Sequence, residues 1–291
     1  MFSVVDSSLN KMQRVLKLPS GSVLDFSGPA IVMAIVNCNE DSFFPPSRAL
    51  GERALERALA AEGEGAGIVD FGAESSRPGS SYISCEEELG RLIPVIKAFR
   101  KQSLLPVSID TRKALVAKTA IDEGADIIND ISGLDDDPQM AAVCAEKNAA
   151  VILVHKKGIP LTMQEQPHYD DIAYEISSFL KSAARRAVAA GIHQDKIIID
   201  PGIGFGKSTG DNLDILRRLA EICGKHYPLM VGLSRKSFIG EITGRGVEGR
   251  LGGTLAANGT AIMAGASIIR VHDVKEHVDL AKVLFALRVE R

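Results

Sequence analysis

The chain has no tryptophan and only 10 phenylalanines and 4 tyrosines in 291 residues, too few for the aromatic platforms on which nucleic-acid bases stack. A basic excess is missing as well. With 34 Lys and Arg against 37 Asp and Glu, the formal net charge is −3, which argues against a phosphate-tracking surface. Cysteine is scarce: Cys38, Cys85, Cys144 and Cys223 stand apart without CxxC or other ligand-like spacing, so reduced thiols are expected rather than disulfides or zinc. Residues 1–30 lack the long apolar core and small-residue cleavage site of a secretion signal and any run long enough to span a bilayer, so a cytoplasmic protein is expected.

What the chain does have is repetition. Eight short runs rich in Val and Ile each end in a polar residue: IVMAIVN at Asn37, GIVDFG at Asp70, PVSID at Asp110, DIIND at Asn129 and Asp130, AVILVH at His155, IIID at Asp200, PLMVGLS at Ser234, and SIIRVH at Arg270 and His272. Such runs read as strands buried on both faces. Between them, segments such as ERALERALAAEGEGAG, KALVAKTAIDEGA, PQMAAVCAEKNA, AYEISSFLKSAARRAVAAGI and NLDILRRLAEICG space their apolar residues at three and four, as helices do. The alternation predicts an α/β protein with a single (β/α)8 TIM barrel, residues 31–291, behind an N-terminal extension, residues 1–30, packed on it. In that fold the active site lies at the carboxyl ends of the strands, where the polar residues fall.

Lys207, Arg235, Lys236, Arg270 and His272 gather near the last three strand ends, an expected cationic site for an anionic small molecule. The run DPGIGFGKSTG is not a Walker A loop, because Gly202 and Gly206 enclose three residues and the position required for the first Gly is Pro201. It reads instead as a strand ending in Asp200 followed by a Gly-rich turn that lets Phe205 and the backbone approach a ligand. Capping of the following helix competes as a role for Asp200, and likewise for Asp110 before Thr111. GLSRKSFIG sets two cations and two hydroxyls at a helix start, a favourable place for a carboxylate or phosphate. Arg270 and His272, two apart on the last strand, point to the same side.

From about Ile31 onward the chain resembles the dihydropteroate synthase family in DSF after Asn37, GAESSRPGS, SIDTRK, GADIINDISG, HKKGIPLTMQ, DPGIGFGK, GLSRKSF, GTLAAN and RVHDV, in the family's order and spacing. The resemblance implies condensation of 6-hydroxymethyl-7,8-dihydropterin diphosphate with 4-aminobenzoate, with magnesium as the metal. It implies a pterin held by Asp110, Asn129, Asp200 and Lys236, and a diphosphate held by Arg270, His272 and Asn37, with Asn37 on the magnesium. It puts Ser76 and Arg77 in a mobile second loop, and Phe205, Pro78, Lys236 and Ser237 around 4-aminobenzoate. Asp110, Lys236, Arg270 and His272 are the implied catalytic groups. His155, Met163 and Gln164 match a run read as mainly structural. A homodimer is implied, through helices near the C-terminal side.

The first loop departs from the family pattern: Asn39 and Glu40 replace Thr-Pro, and Pro45 and Pro46 fall where glycines are usual. The second loop has Ser76 for the usual Thr. These changes bear on loop closure and sulfonamide response more than on the reaction. Two other readings share part of the pattern. A methyltetrahydrofolate methyltransferase serving a corrinoid protein would share the Asp-Asn-Asp pocket and lack SRKSF. A pterin-binding paralogue impaired by its first loop would not turn over.

Overall fold

The computed structural model describes residues 14–38, 47–74, 82–158 and 167–288. A hairpin comes first, β1 (Val15–Lys17) antiparallel to β2 (Val23–Asp25). All eight apolar runs then form parallel strands: β3 (Ile31–Asn37), β4 (Ile68–Gly72), β5 (Val107–Asp110), β6 (Ile127–Asp130), β7 (Ala150–Val154), β8 (Ile197–Asp200), β9 (Met230–Val231) and β10 (Ile268–Val271). Their order is β8-β7-β6-β5-β4-β3-β10-β9, and a parallel bridge from Ile199 to Leu229 joins the two edges into a barrel.

Helices α1 (Ser47–Gly63), α2 (Cys85–Arg100), α3 (Ala114–Asp122), α4 (Met140–Glu146), α5 (Ile172–Ala189), α6 (Thr209–Arg217), α7 (Leu219–Cys223), α8 (Ser237–Thr243), α9 (Leu251–Met263) and α10 (Val274–Arg288) cover the outside. Local chemistry starts several of them. Ser84 caps α2, Asp171 caps α5, and Ser208 with Asp211 forms a capping box on α6. Two features stand out, and the second departs from the periodicity reading. Helix α2 runs through Pro94, because the buried stripe Leu92, Val95, Ile96 and Phe99 outweighs one lost backbone bond. The segment NLDILRRLAEICG breaks at Arg218, where φ is −107° and ψ 17°, and the turn aims Leu219 and Ile222 into the core.

The core has two compartments. Outward-facing strand residues such as Val69, Phe71 and Ile109 pack under the helices. Inside the barrel, Met33, Ile68, Ile127, Ile198, Met230 and Ile268 form a plug against Leu16, Leu18, Leu24 and Phe26 of the hairpin. The hairpin therefore seals the amino end. Buried Asp126 fastens it, accepting from Ser20 N at 3.1 Å while its other oxygen meets Arg100 at 2.7 Å. With that end sealed by the apolar plug, the barrel-lining acceptors Asp70, Asp110, Asn129 and Asp200 lie toward the carboxyl end. Among the described residues no helix is long and apolar enough to cross a membrane.

Candidate active site

Strand register decides which strand-end residues share the barrel interior. Asp110 pairs with both Gly72 and Asn129, Asp200 pairs with Val154, and Arg270 pairs with Met33. Neighbours in register face the same way, so Asp70, Asp110, Asn129, Asp200, Arg270 and His272 all point inward above the apolar plug.

Arg270 is the hub of this layer. Its Nε donates to Asp70 Oδ2 at 2.6 Å and its Nη2 to Asp110 Oδ2 at 2.8 Å. Asp70 Oδ2 also accepts from Asn129 Nδ2 at 3.2 Å. The Arg270 fork thus engages two aspartates, and among the described residues this leaves Nη1 as the nitrogen to meet a further anion. The sequence marks Asp70 only as the polar residue of a strand. Its signal is its place as the single ionisable residue in the fully buried strand IVDFG, an expensive position for a carboxyl without a cationic partner.

Burial pushes the Asp110 carboxyl up to about 7; Arg270 acts in the opposite direction, while Asp70, Glu88 and Asp130 add to the rise. Burial also raises Asp200, whose Oδ1 accepts from Gly202 N at 2.6 Å. Neither aspartate caps a helix: Ser208 serves α6, and the N-cap of α3 is Lys113, which makes no side-chain cap. Asp130 is structural, since its oxygens hold Ser132 and Leu134 in the turn after β6.

The expected cationic cluster divides. Lys236, half-buried at the start of α8, donates to the Ile203 carbonyl, and its ammonium lies 4.5 Å from the Phe205 ring centroid. Burial, opposed by Asp200, pulls it down to about 8. Ser237 follows it, exposed, as the first residue of α8. His272 is held by Ser234, whose Oγ lies 2.9 Å from the ring Nδ1 and accepts from the His272 backbone N at 3.2 Å.

Lys207 and Arg235 do not belong to the cluster. Lys207 is buried beneath the Gly-rich turn, donating to Gly202 O at 2.9 Å, Phe205 O at 3.0 Å and His155 Nδ1 at 2.9 Å. In a Walker loop the lysine faces phosphates; here it binds the loop's own carbonyls. Burial and the Lys207 charge push His155 down to about 2, so its ring stays neutral and accepts, consistent with a structural role. Arg235 turns outward to a bidentate pair with Asp273, at 3.0 and 2.7 Å, and to Glu248.

Asn37 ends β3 exposed at the same mouth. Among the described residues no three His, Cys, Asp or Glu side chains are grouped to hold a metal. One amide oxygen fits magnesium that arrives with substrate phosphates and keeps its waters, rather than a resident ion in a protein cage. Ser76, Arg77, Pro78, Met163 and Gln164 lie outside the described residues, as do Asn39, Glu40, Pro45 and Pro46 of the first loop. A separate concavity lined by Leu180, Ala184, Ile199, Ile222, Cys223 and Tyr227 lies in the outer helix layer and contains none of the polar strand-end residues.

This geometry coincides with likeness to known proteins. Residues 33–272 match the family described as pterin binding enzyme. Dihydropteroate synthase of Escherichia coli K12 is 43% identical over 268 residues, covering 91% of this chain and 94% of the relative. That of Synechocystis is 41% identical over 273 residues, covering 93% and 94%. Among solved structures, Xanthomonas albilineans dihydropteroate synthase with 4-aminobenzoic acid superposes with a TM-score of 0.88 at 39% identity, covering 96% of this chain and 100% of that one. The Yersinia pestis enzyme in complex with a sulfonamide drug gives 0.87 at 39% identity, covering 92% and 97%. The chain belongs to the pterin-binding enzymes and, among them, to the dihydropteroate synthase family.

Proposed function

We infer that this chain condenses 6-hydroxymethyl-7,8-dihydropterin diphosphate with 4-aminobenzoate, releasing diphosphate and forming 7,8-dihydropteroate in folate synthesis. One observation carries the reading: a closed barrel whose inward acceptors Asp110, Asn129 and Asp200 share one mouth with the cations Lys236 and Arg270. The amide and amino donors of a pterin edge suit those acceptors, and its ring acceptors suit Lys236. Phe205 and Ser237, beside Lys236, border the place for 4-aminobenzoate.

Negative charge grows on the diphosphate as its C–O bond breaks, and positive charge grows on the pterin methylene. Arg270 Nη1 and His272 stabilise the first and Asp110 the second, held in place by the hydrogen bonds of the barrel mouth. When bound by the diphosphate and Asn37, magnesium neutralises part of the leaving-group charge. A neutral aniline needs placement more than deprotonation when it meets a cation-like carbon. The test is diphosphate release by the purified chain with both substrates and magnesium. Release equal to dihydropteroate formed supports the reading, and pterin binding without release would identify a paralogue that has lost turnover.

Affinity for the diphosphate-free pterin will follow a bell in pH. Below about 7 Asp110 is protonated and loses acceptor strength, so affinity climbs with pH; above about 8 Lys236 loses its proton and affinity falls. Calorimetry across that range checks it, and Asp110→Asn should remove the acid limb alone. Arg270→Lys keeps the charge but loses the fork that also ties Asp70 and Asp110, so the diphosphate ester should bind about tenfold more weakly and the diphosphate-free pterin should lose clearly less. Equal losses for both ligands would contradict that division of labour.

The proposal extends to a cytoplasmic homodimer. The apolar residues Ile176, Leu180, Ala183 and Ala187 of α5 face the barrel, whereas Met263 of α9 and Val283 and Leu287 of α10 are 56%, 59% and 75% exposed, which favours α9 and α10 as the interface. Sedimentation of the wild type against a Val283→Glu/Leu287→Glu variant tests it. A cytoplasm also keeps the four unpaired thiols reduced.

A further inference from the structure

Asp70 lies one strand away from Asp110, on a layer nearer the apolar plug, and is completely buried. Two donors converge on its Oδ2, Arg270 Nε at 2.6 Å and Asn129 Nδ2 at 3.2 Å. A carboxylate oxygen facing a guanidinium accepts, and an asparagine amide has one donating end and one accepting end. Contact with Asp70 therefore decides which way the Asn129 amide is turned: nitrogen toward Asp70, oxygen away from it. Asn129 Oδ1 is buried without a protein partner, and so are Asp70 Oδ1 and the hydroxyl of Ser108, the register neighbour of Asp70. The same carboxylate holds Nε of the guanidinium whose Nη2 reaches Asp110.

We propose that Asp70 is a positioning residue that sets the hydrogen-bond polarity of the pterin pocket: it holds the Asn129 oxygen toward the ring and Arg270 toward the leaving group. The proposal rests on the function inferred above. With Asn129 so turned, the ring's donor edge meets Asp110, Asp200 and Asn129 Oδ1, acceptors throughout. A reversed amide would set donor against donor in a desolvated place, where the mismatch is costly. A floor ion pair serving stability alone would not care which end of Asn129 faces upward, and that difference makes the proposal testable.

The experiment is a double-mutant cycle in the full chain: wild type, Asp70→Asn, Asn129→Ala and the double variant. Each is titrated with 6-hydroxymethyl-7,8-dihydropterin by calorimetry and assayed for turnover with magnesium and both substrates. Asp70→Asn should bind the pterin about tenfold more weakly, as expected for losing order at a hydrogen bond to a charged group. Its kcat should fall while its KM for 4-aminobenzoate stays within about threefold. The double variant should bind no more than about twofold more weakly than Asn129→Ala alone, because Asp70 acts through Asn129. Additive losses, or unchanged pterin affinity in folded Asp70→Asn, would overturn the proposal.

If Asp70→Asn does not fold, Asn129→Asp carries the test. It still offers the ring an oxygen but sets a second carboxyl against Asp70, so affinity should drop by more than about tenfold; retained affinity would overturn the proposal. Wild-type pterin binding without diphosphate release would refute the inferred reaction and leave the binding cycle to judge Asp70.

Discussion

Asp110→Asn will slow scrambling of an oxygen-18 label in the pterin diphosphate by about 10²-fold, the loss typical of removing one well-placed electrostatic stabiliser. The label starts in the oxygen bridging the pterin methylene to phosphorus. If the C–O bond breaks before the aniline attacks, the diphosphate can rotate and return, and the label reaches non-bridging positions with magnesium but no 4-aminobenzoate. The role proposed for Asp110 is to stabilise the carbon side of that break. Its Oδ2 is tied to Arg270 Nη2 at 2.8 Å, and strand register sets it beside Asn129. An amide in its place keeps the shape but removes the negative charge. Scrambling at the wild-type rate in the variant would remove Asp110 from this role. Product formation without any scrambling in the wild type would indicate concerted displacement, or a second substrate needed for closure.

Gly202→Ala should cost about 3–5 kcal/mol, among the larger effects of a single substitution. Gly202 has φ +67°, and a Cβ built there overlaps the His155 carbonyl oxygen. The neighbouring Gly206, at φ +64°, would likewise collide with the Lys157 carbonyl. The turn is thus pressed backbone to backbone against residues 155–157, and Lys207 binds the assembly from beneath through Gly202 O, Phe205 O and His155 Nδ1. Prying the turn away strains the backbone and leaves a buried ammonium short of acceptors, two costs that add. Asp200 holds Gly202 N, and Lys236 donates to Ile203 O, so pterin affinity should fall together with stability. Gly210→Ala is the control: it lies in α6, its nearest neighbour Ser208 Oγ is 3.7 Å from a built Cβ, and stability should hold or rise. Urea and thermal unfolding of both variants decide it, and a Gly202→Ala protein as stable as the wild type would refute the account of the turn.

Much of this was legible in the chain. Strand and helix positions follow from apolar periodicity and Gly or Pro punctuation, which are local properties, and all eight runs form the expected strands. The polar residue ending each run marks the mouth because a closed parallel barrel brings all carboxyl ends to one side. Where a helix breaks was not legible: NLDILRRLAEICG turns at Arg218 because Leu219 and Ile222 are drawn into the core.

The division of labour among charges belonged to the tertiary structure. Arg235 and Lys236 are adjacent, yet one turns outward to Asp273 and the other toward Phe205. Lys207 shares the basic chemistry of Lys236 but is consumed by its own loop. Asp70 and Arg270, 200 residues apart, meet at 2.6 Å. The sequence by itself determined where strands begin and end, because burial of a run depends on residues within it. Whether a charge serves the fold or the substrate depends on the distance to partners supplied by other strands, since both the desolvation cost and the Coulomb energy that offsets it are set in space. Only the closed barrel could decide that.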